Sequence, residues 1–392
     1  MIKKKKHKKH PQVARPRLTG SLVFFSIAGL LTLILLIVRA MASRNPAISD
    51  FFVDYIFKPL ATIWTWPVSL IPFSLTELFV VAGIPALIAL LIYGIVRLIR
   101  NSAHRGRRAV RTIVVVAGTA LLMLSLFIVF HGMNYARSPL ADSLGLDIRE
   151  RSVDELDDAA RMLARAAVEV REGLPEDEDG VLSMGSLNHI QNTAFEGWEE
   201  ASVVWPSLQS SVRAKPKGVL LSHYWSYTNI VGLYMPLLVE TNINIDQPDF
   251  MIPATAAHEI AHSRGFAREG DGDFASLLSC FHHPDPVWQY SGLISAWKSV
   301  GNRLWAEDRD RWNLAYVEEL SPAVIRDLNA ESAYWKAFET EIAVVSEKIN
   351  DAYLKANQEE DGVKSYGAVV DLLLAWIETP NATILQAAAH TD

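Results

Sequence analysis

The sequence predicts a membrane protein with three N-terminal transmembrane helices, followed by a mainly α (α+β) extracytoplasmic domain with a small β-sheet. Three observations carry this reading. Apolar residues make up 50% of the 392 residues and concentrate before residue 135. Three runs there hold about 19 or more residues with almost no charge, enough for a helix to cross a hydrocarbon core of about 30 Å. The rest of the chain, 135–392, is acidic and patterned mostly with a helical period.

Residues 1–20 form a basic tail that opens MIKKKKHKKHPQVARPR. The predicted spans cover about 21–42, 78–96 and 112–130, within a transmembrane region of 21–134. Pro85, inside the second span, is tolerable in a membrane helix and predicts a kink. Ala40-Met41-Ala42 is of the small-residue type at which signal peptides are cut. The apolar stretch before it is long for such a peptide, so an uncleaved anchor is expected.

Orientation follows from the basic residues. The second and third runs are joined by the arginine-rich segment 97–111, whereas 43–77 carries only Arg44 and Lys58. The tail and the 97–111 loop are therefore expected in the cytoplasm of a multi-pass cell-membrane protein. Everything after about Asn134 is then extracytoplasmic. Beside a membrane helix the basic tail reads as retention by anionic lipid, so the bilayer is the expected partner and no nucleic acid is. The aromatic, nearly uncharged 43–77 segment, with Trp64 and Trp66, predicts an interfacial or re-entrant hairpin.

The region 135–392 is long enough for a large core and carries a single cysteine, Cys280, in the apolar context ASLLSCF. No disulfide is available, and Cys280 reads as a small core residue. A helix is predicted over 152–173, opened by a Ser152/Glu155 capping box, with an exposed acidic loop at 175–180. Residues 203–245 are rich in β-branched and aromatic types and are split by Pro216, Gly218 and Gly232, which predicts the small sheet. A long amphipathic helix is predicted over 321–357, with Ser321 as N-cap and Pro322 in its first turn, and a last one over 365–378.

The chemistry concentrates in TAAHEIAHSRGFAREGDGDF, residues 255–274. Residues four apart share a helix face, so His258 and His262 point together and can offer two neutral imidazoles to one Zn²⁺. Glu259 flanks that face and can take a proton from water. Pro253 and Thr255 suit the helix start, Ala256, Ala257, Ile260 and Ala261 a buried helix, and Gly265 its end. A third ligand is required. Glu269, at the start of a second helix, is the expected one, with Asp273 accepting a hydrogen bond from a ligand histidine. The other reading of this acidic cluster is a solvated helix N-terminus.

The stretch from His258 to Phe274 resembles a bacterial membrane-protein family, domain of unknown function 3810, whose members typically read HE-x-AH-x-RGFAREDEANF. The likeness extends to HGMNYARSPLADSLGL (131–146), GLYMPLLVETNIN (232–244) and DAYLKANQEEDGVKSYGAVVDLL (351–373). The stretch is also similar to the two-helix motif of gluzincin zinc peptidases. That likeness implies a zincin-like outer domain, with Glu269 as third ligand and Asp273 as supporter. This chain departs from the family at Gly270, Asp271 and Gly272. If the family's ligand is its second acid, Asp271 becomes the alternative metal ligand. Each glycine is also expected to weaken the second helix by about 1 kcal/mol relative to alanine.

The function expected is hydrolysis of peptide bonds in a peptide or protein substrate, by a membrane-anchored zinc metallopeptidase on the outer side. Glu259 acts as general base and then acid. By residue type alone, Tyr366, His223 and Tyr234 are candidate donors to the oxyanion. Glu240, Asn242 and Asn244 are candidates for an edge strand that aligns substrate, beside a structural role. The alternatives are a non-catalytic, metal-stabilised envelope scaffold and a zinc hydrolase of a cell-wall amide. The motif lies far past the last span in sequence, so cleavage within the membrane is not expected. No Walker loop, dinucleotide fingerprint, C-x-x-C or G-x-S-x-G occurs, and His282-His283 reads as a loop.

Overall fold

A computed structural model describes residues 18–100 and 104–388, so most of the predicted basic tail lies outside the described residues. In chain order the elements used below are α1 (Thr19–Ala42), α2 (Pro46–Phe52), α3 (Lys58–Ser69), α4 (Ile84–Arg100), α5 (Arg105–Phe127) and α6 (Val153–Arg171). Then come β1 (Lys217–Val219), β2 (Gly232–Met235), β3 (Glu240–Asn244), α7 (Ile252–Ser263), α8 (Glu269–Phe281), α9 (Pro286–Glu307), α10 (Pro322–Lys336), α11 (Glu341–Ala356) and α12 (Ala368–Ile377). The chain divides into two compact units: Met1–Ile37 with Phe79–Leu126, and Val38–Leu78 with Phe127–Asp392.

Among the described residues three helical stretches are long and apolar enough to cross a membrane: Thr19–Ala42, Leu75–Arg100 and Arg105–Ala136. They contain the three predicted runs. In the first unit α1 and α5 meet through small residues. A Cβ on Gly118 would stand 2.7 Å from the Phe24 ring, and the Thr32 hydroxyl lies 2.9 Å from that of Ser125. Close backbone approach and paired hydroxyls are how apolar helices associate without a hydrophobic drive between them. Ahead of Pro85 the helix widens into a π turn, Phe79–Gly83. Proline lacks an N–H and crowds the carbonyl four residues back, and the wider turn absorbs that misfit.

The second unit overturns the expected hairpin at 43–77. Residues 46–69 are one helical run, α2 and α3 joined by a π turn at Val53–Phe57. Ser49, Phe52, Val53, Phe57, Ala61, Thr65 and Val68 are its buried residues, a stripe at helical spacing. The stripe docks on the rest of the unit. Ser49 donates to the Met133 carbonyl (2.7 Å), Lys58 to that of Gln209 (3.1 Å) and the Trp64 indole to that of Leu237 (3.1 Å). The division expected at 134/135 therefore cuts through a compact unit.

The helix predicted over 152–173 is α6, and its Ser152/Glu155 capping box is present. It packs against α9, where Trp288 and Tyr290 are fully buried. The predicted exposed loop at 175–180 is partly tied down: Glu176 pairs with Arg171 and Arg326, and bridges to Leu182. The long helix predicted over 321–357 is two helices. Ser321 caps α10 as expected, but Thr340 opens a second N-cap, its side chain accepting from the Ala343 N–H of α11. The last predicted helix begins at Ala368, because Gly362–Gly367 forms a 3₁₀ turn.

The sheet runs β1-β3-β2, with β3 parallel to β1 and antiparallel to β2. Glu240, Asn242 and Asn244 therefore lie on the central strand, not an edge. All three are buried and fully engaged. Glu240 accepts from Lys217 (2.6 Å) and Thr76, Asn242 from Ser74 (2.6 Å), and Asn244 donates to Ser226 (2.9 Å). The free edge nearest α7 belongs to β2.

Candidate metal centre

α7 and α8 are joined by a five-residue turn that fixes the site. Gly265, at φ 96°, is the left-handed residue closing α7. Its N–H donates to the His262 carbonyl and that of Phe266 to the Ala261 carbonyl, both at 3.1 Å, which is a Schellman ending. This turn brings the Phe266 carbonyl back over the helix, 2.8 Å from His262 Nδ1. Arg137 holds the turn from outside by donating to the Gly265 carbonyl (3.0 Å), and Arg268 donates to the Arg137 and Ser138 carbonyls.

Both imidazoles are oriented by their Nδ1 atoms. That of His258 lies 2.7 Å from Asp273 Oδ1, and that of His262 faces the Phe266 carbonyl. Both partners only accept, so each Nδ1 carries a proton and each Nε2 is the ring atom left to serve a metal. The two Nε2 atoms converge on Glu269 Oε2, at 3.3 Å from His258 and 3.6 Å from His262. Tetrahedral bonds of about 2.0–2.1 Å imply ligand–ligand edges of about 3.3–3.4 Å. One ligand atom from each residue lies within 4.8 Å of the others. Glu269 Oε2 is buried and accepts no hydrogen bond. A buried carboxylate oxygen that faces two imidazole Nε2 atoms without a well-formed hydrogen bond to either is poorly satisfied by itself. The donor set fits a divalent first-row cation.

Glu259, the residue after the first ligand, is buried and its Oε2 also lacks a partner. Gly232 of β2 makes room for it, since a Cβ there would collide with the Glu259 carboxylate. Burial pushes the Glu259 pKa up; the histidines oppose this, and Glu269 and Asp273 add to it. Burial also acts on Glu269, but His262 and His258 outweigh it and hold that carboxyl well below the usual range. For His258 burial disfavours the charged ring, yet Asp273 and Glu269 raise its pKa.

Asp271, the alternative ligand, turns away from the cluster to pair with Arg268 (2.5 Å) and accept from the Leu140 N–H. The two glycines expected to weaken α8 stand where neighbours come close. A Cβ on Gly270 would reach 2.8 Å from that of Ala368, and one on Gly272 would lie 3.5 Å from the His262 ring. α8 runs its 13 residues regardless.

Of the donor candidates, Tyr366 sits in the field of Glu269 and Asp273 and keeps 37% of its surface exposed. Tyr234 is buried, its ring 6.3 Å from that of His262 and its hydroxyl donating to the Phe130 carbonyl. His223 is held elsewhere, by Asp246 and the Phe338 and Tyr227 rings, none of which belongs to the cluster. Cys280 is a buried core residue. His283 stacks on Trp288 and forms no metal site with His282, which bonds the Leu278 carbonyl.

One neighbour is missing from the sequence reading. His131, buried one residue beyond the last apolar run, stands perpendicular to the His262 ring at 5.8 Å. The site is far from residues 127–138 in sequence but not in space, because the 137–138 backbone and the 264–268 turn are clamped together. A histidine closing an apolar run was the available signal.

The family described as Protein of unknown function (DUF3810) matches residues 52–374. The chain belongs to this family. The DUF3810 match spans α3, the sheet, α7, α8 and most of α12, so the arrangement above lies within the family's extent. Comparison with curated proteins gives no match, and comparison with solved structures gives none.

Proposed function

We propose that this DUF3810 member is a membrane-anchored, zinc-dependent metallopeptidase, with its N-terminus cytoplasmic and its metal centre on the outer side. The observation that carries the reading is the paired orientation of His258 and His262. Both Nδ1 atoms are occupied by outer partners, and both Nε2 atoms converge on the unsatisfied Glu269 Oε2. Three protein ligands fit a catalytic zinc site, which keeps its fourth position open.

When bound, zinc supplies Lewis-acid polarisation of the scissile carbonyl and acidifies the attacking water. The chain's own residues do the rest. Glu259, its pKa raised by burial, is placed to take a proton from water and return it to the leaving amine. Asp273 and the Phe266 carbonyl hold the imidazoles in one tautomer. Tyr366, an exposed phenol within the field of Glu269 and Asp273, is the better candidate for donating to the oxyanion. β2, an edge strand packed on α7 with Gly232 over Glu259, offers a backbone ladder for an extended peptide.

The test is Glu259→Gln in the full chain. Metal content should match the parent, and cleavage across a mixed peptide library should fall by about 10²–10⁴-fold. Equal cleavage by parent and variant would exclude Glu259 as the base. Absence of cleavage by a metal-loaded parent, on peptides and on cell-wall amides alike, would favour a metal-stabilised scaffold.

A further inference from the structure

α11 has three faces. Ala343 and Leu354 are buried. Glu341, Glu347, Lys348, Asp351 and Lys355 cluster on a second face. The third is an uncharged row, Ile342, Val345, Ile349 and Tyr353, exposed at 56%, 55%, 66% and 38%. Spacing of three and four residues puts these four side chains in line. A helix face turned to water carries charges, and this one has none.

The row ends on the apolar helices. The Tyr353 ring packs edge-on to Phe127, the last residue of α5, at 6.3 Å. Just beyond α11, Asn357 accepts from Arg39 (3.4 Å) and Gln358 donates to the Ser43 hydroxyl (2.9 Å), both at the end of α1. The C-terminal end of α11 is thus tied where two membrane-length helices finish.

We propose that α11 lies on the lipid bilayer, with the row Ile342, Val345, Ile349 and Tyr353 seated in the interface between headgroups and acyl chains. The partner is lipid, which suits an uncharged row flanked by lysines and acids. Phe127 in turn meets the His131 ring at 5.9 Å and His131 the His262 ring at 5.8 Å, so two rings separate the end of the row from His262. The inference rests on the transmembrane reading of α1 and α5, and not on hydrolysis.

The experiment uses the full chain in phosphatidylcholine vesicles, with a bimane fluorophore on single introduced cysteines. Cys280 is buried and its thiol is pushed up by burial, so the native cysteine stays unlabelled. Labels go to Ile349→Cys and Val345→Cys on the row, to Glu347→Cys on the charged face and to Leu30→Cys within α1. Variants whose metal content or melting differs from the parent are set aside, and the two row positions duplicate each other. The expected result is loss of most emission at 345, 349 and 30 when the vesicles contain brominated-chain lipid. Label 347 should instead be quenched by aqueous iodide. Quenching by brominated lipid at 30 but at neither row position overturns the seating alone. Quenching at none of the four overturns the transmembrane reading with it. Row labels shielded from both quenchers would mean that protein covers the row, which also overturns the proposal.

Discussion

Replacing Asp273 by alanine isolates what orients the first ligand. In the intact site the His258 Nδ1–H donates to Asp273 at 2.7 Å, which fixes the tautomer that frees Nε2. Without it the ring can rotate or carry its proton on Nε2. Outer partners of this kind typically contribute about 10–100-fold to metal affinity, or about 1.4–2.8 kcal/mol. The Asp273 side chain is 28% exposed, so water screens the pair and supplies a substitute acceptor. The lower part of the range applies, about 10–30-fold. Asp273→Asn keeps an acceptor oxygen without the charge and should fall between Asp273→Ala and the parent. Competition against a chelating indicator of known zinc affinity measures this in the full chain. Parent-like affinity in Asp273→Ala would refute the orienting role. Complete loss of metal, as expected for His262→Ala, would make Asp273 a ligand instead.

Two further outcomes follow from the buried polar centres and from the unit boundary. Burial alone would raise the Glu240 pKa, but Lys217 and Thr76 outweigh it and hold it below its ordinary value of 4.5. A depressed folded pKa gives stability that is complete above the unfolded value and lost as pH falls through the folded one. The melting temperature should therefore drop on acidification below about pH 4.5. Glu240→Gln, which leaves Lys217 buried without its counter-charge, should cost about 3–5 kcal/mol at neutral pH and flatten that dependence; an unchanged acid profile would contradict this. A fragment covering 135–392 lacks the docked helices α2 and α3 and the 127–134 segment. It should aggregate or show no cooperative melt, whereas a fragment that melts like the full chain would show these helices to be dispensable.

What the sequence made legible was local. The capping box at Ser152, the cap at Ser321, the apolar runs and the one-face spacing of His258 and His262 each depend on residues a few positions apart. Their geometry follows from helix period and side-chain reach. The break at 337–340 was hidden because neither glycine nor proline marks it; Thr340 could be read as a cap only once the chain had already turned. The central place of β3 depends on pairing with strands as far away as Lys217, which no local pattern encodes. His131 and Gly232 belong to the site through packing between distant segments. The choice of Glu269 over Asp271 turned on Arg268, whose guanidinium draws Asp271 off. The stripe Ser49, Phe52, Val53, Phe57, Ala61, Thr65 and Val68 was in the sequence, but its aromatic neighbours dominated the reading of that segment.

The most direct test of the central claim is metal content of the full-length chain, purified without chelator, beside His262→Ala and Glu269→Ala. The arrangement of His258, His262 and Glu269 predicts about one zinc per chain in the parent and loss of it in both variants. A parent that holds no zinc even after incubation with excess metal, or a Glu269→Ala variant that retains it with parental affinity, would contradict the site described here.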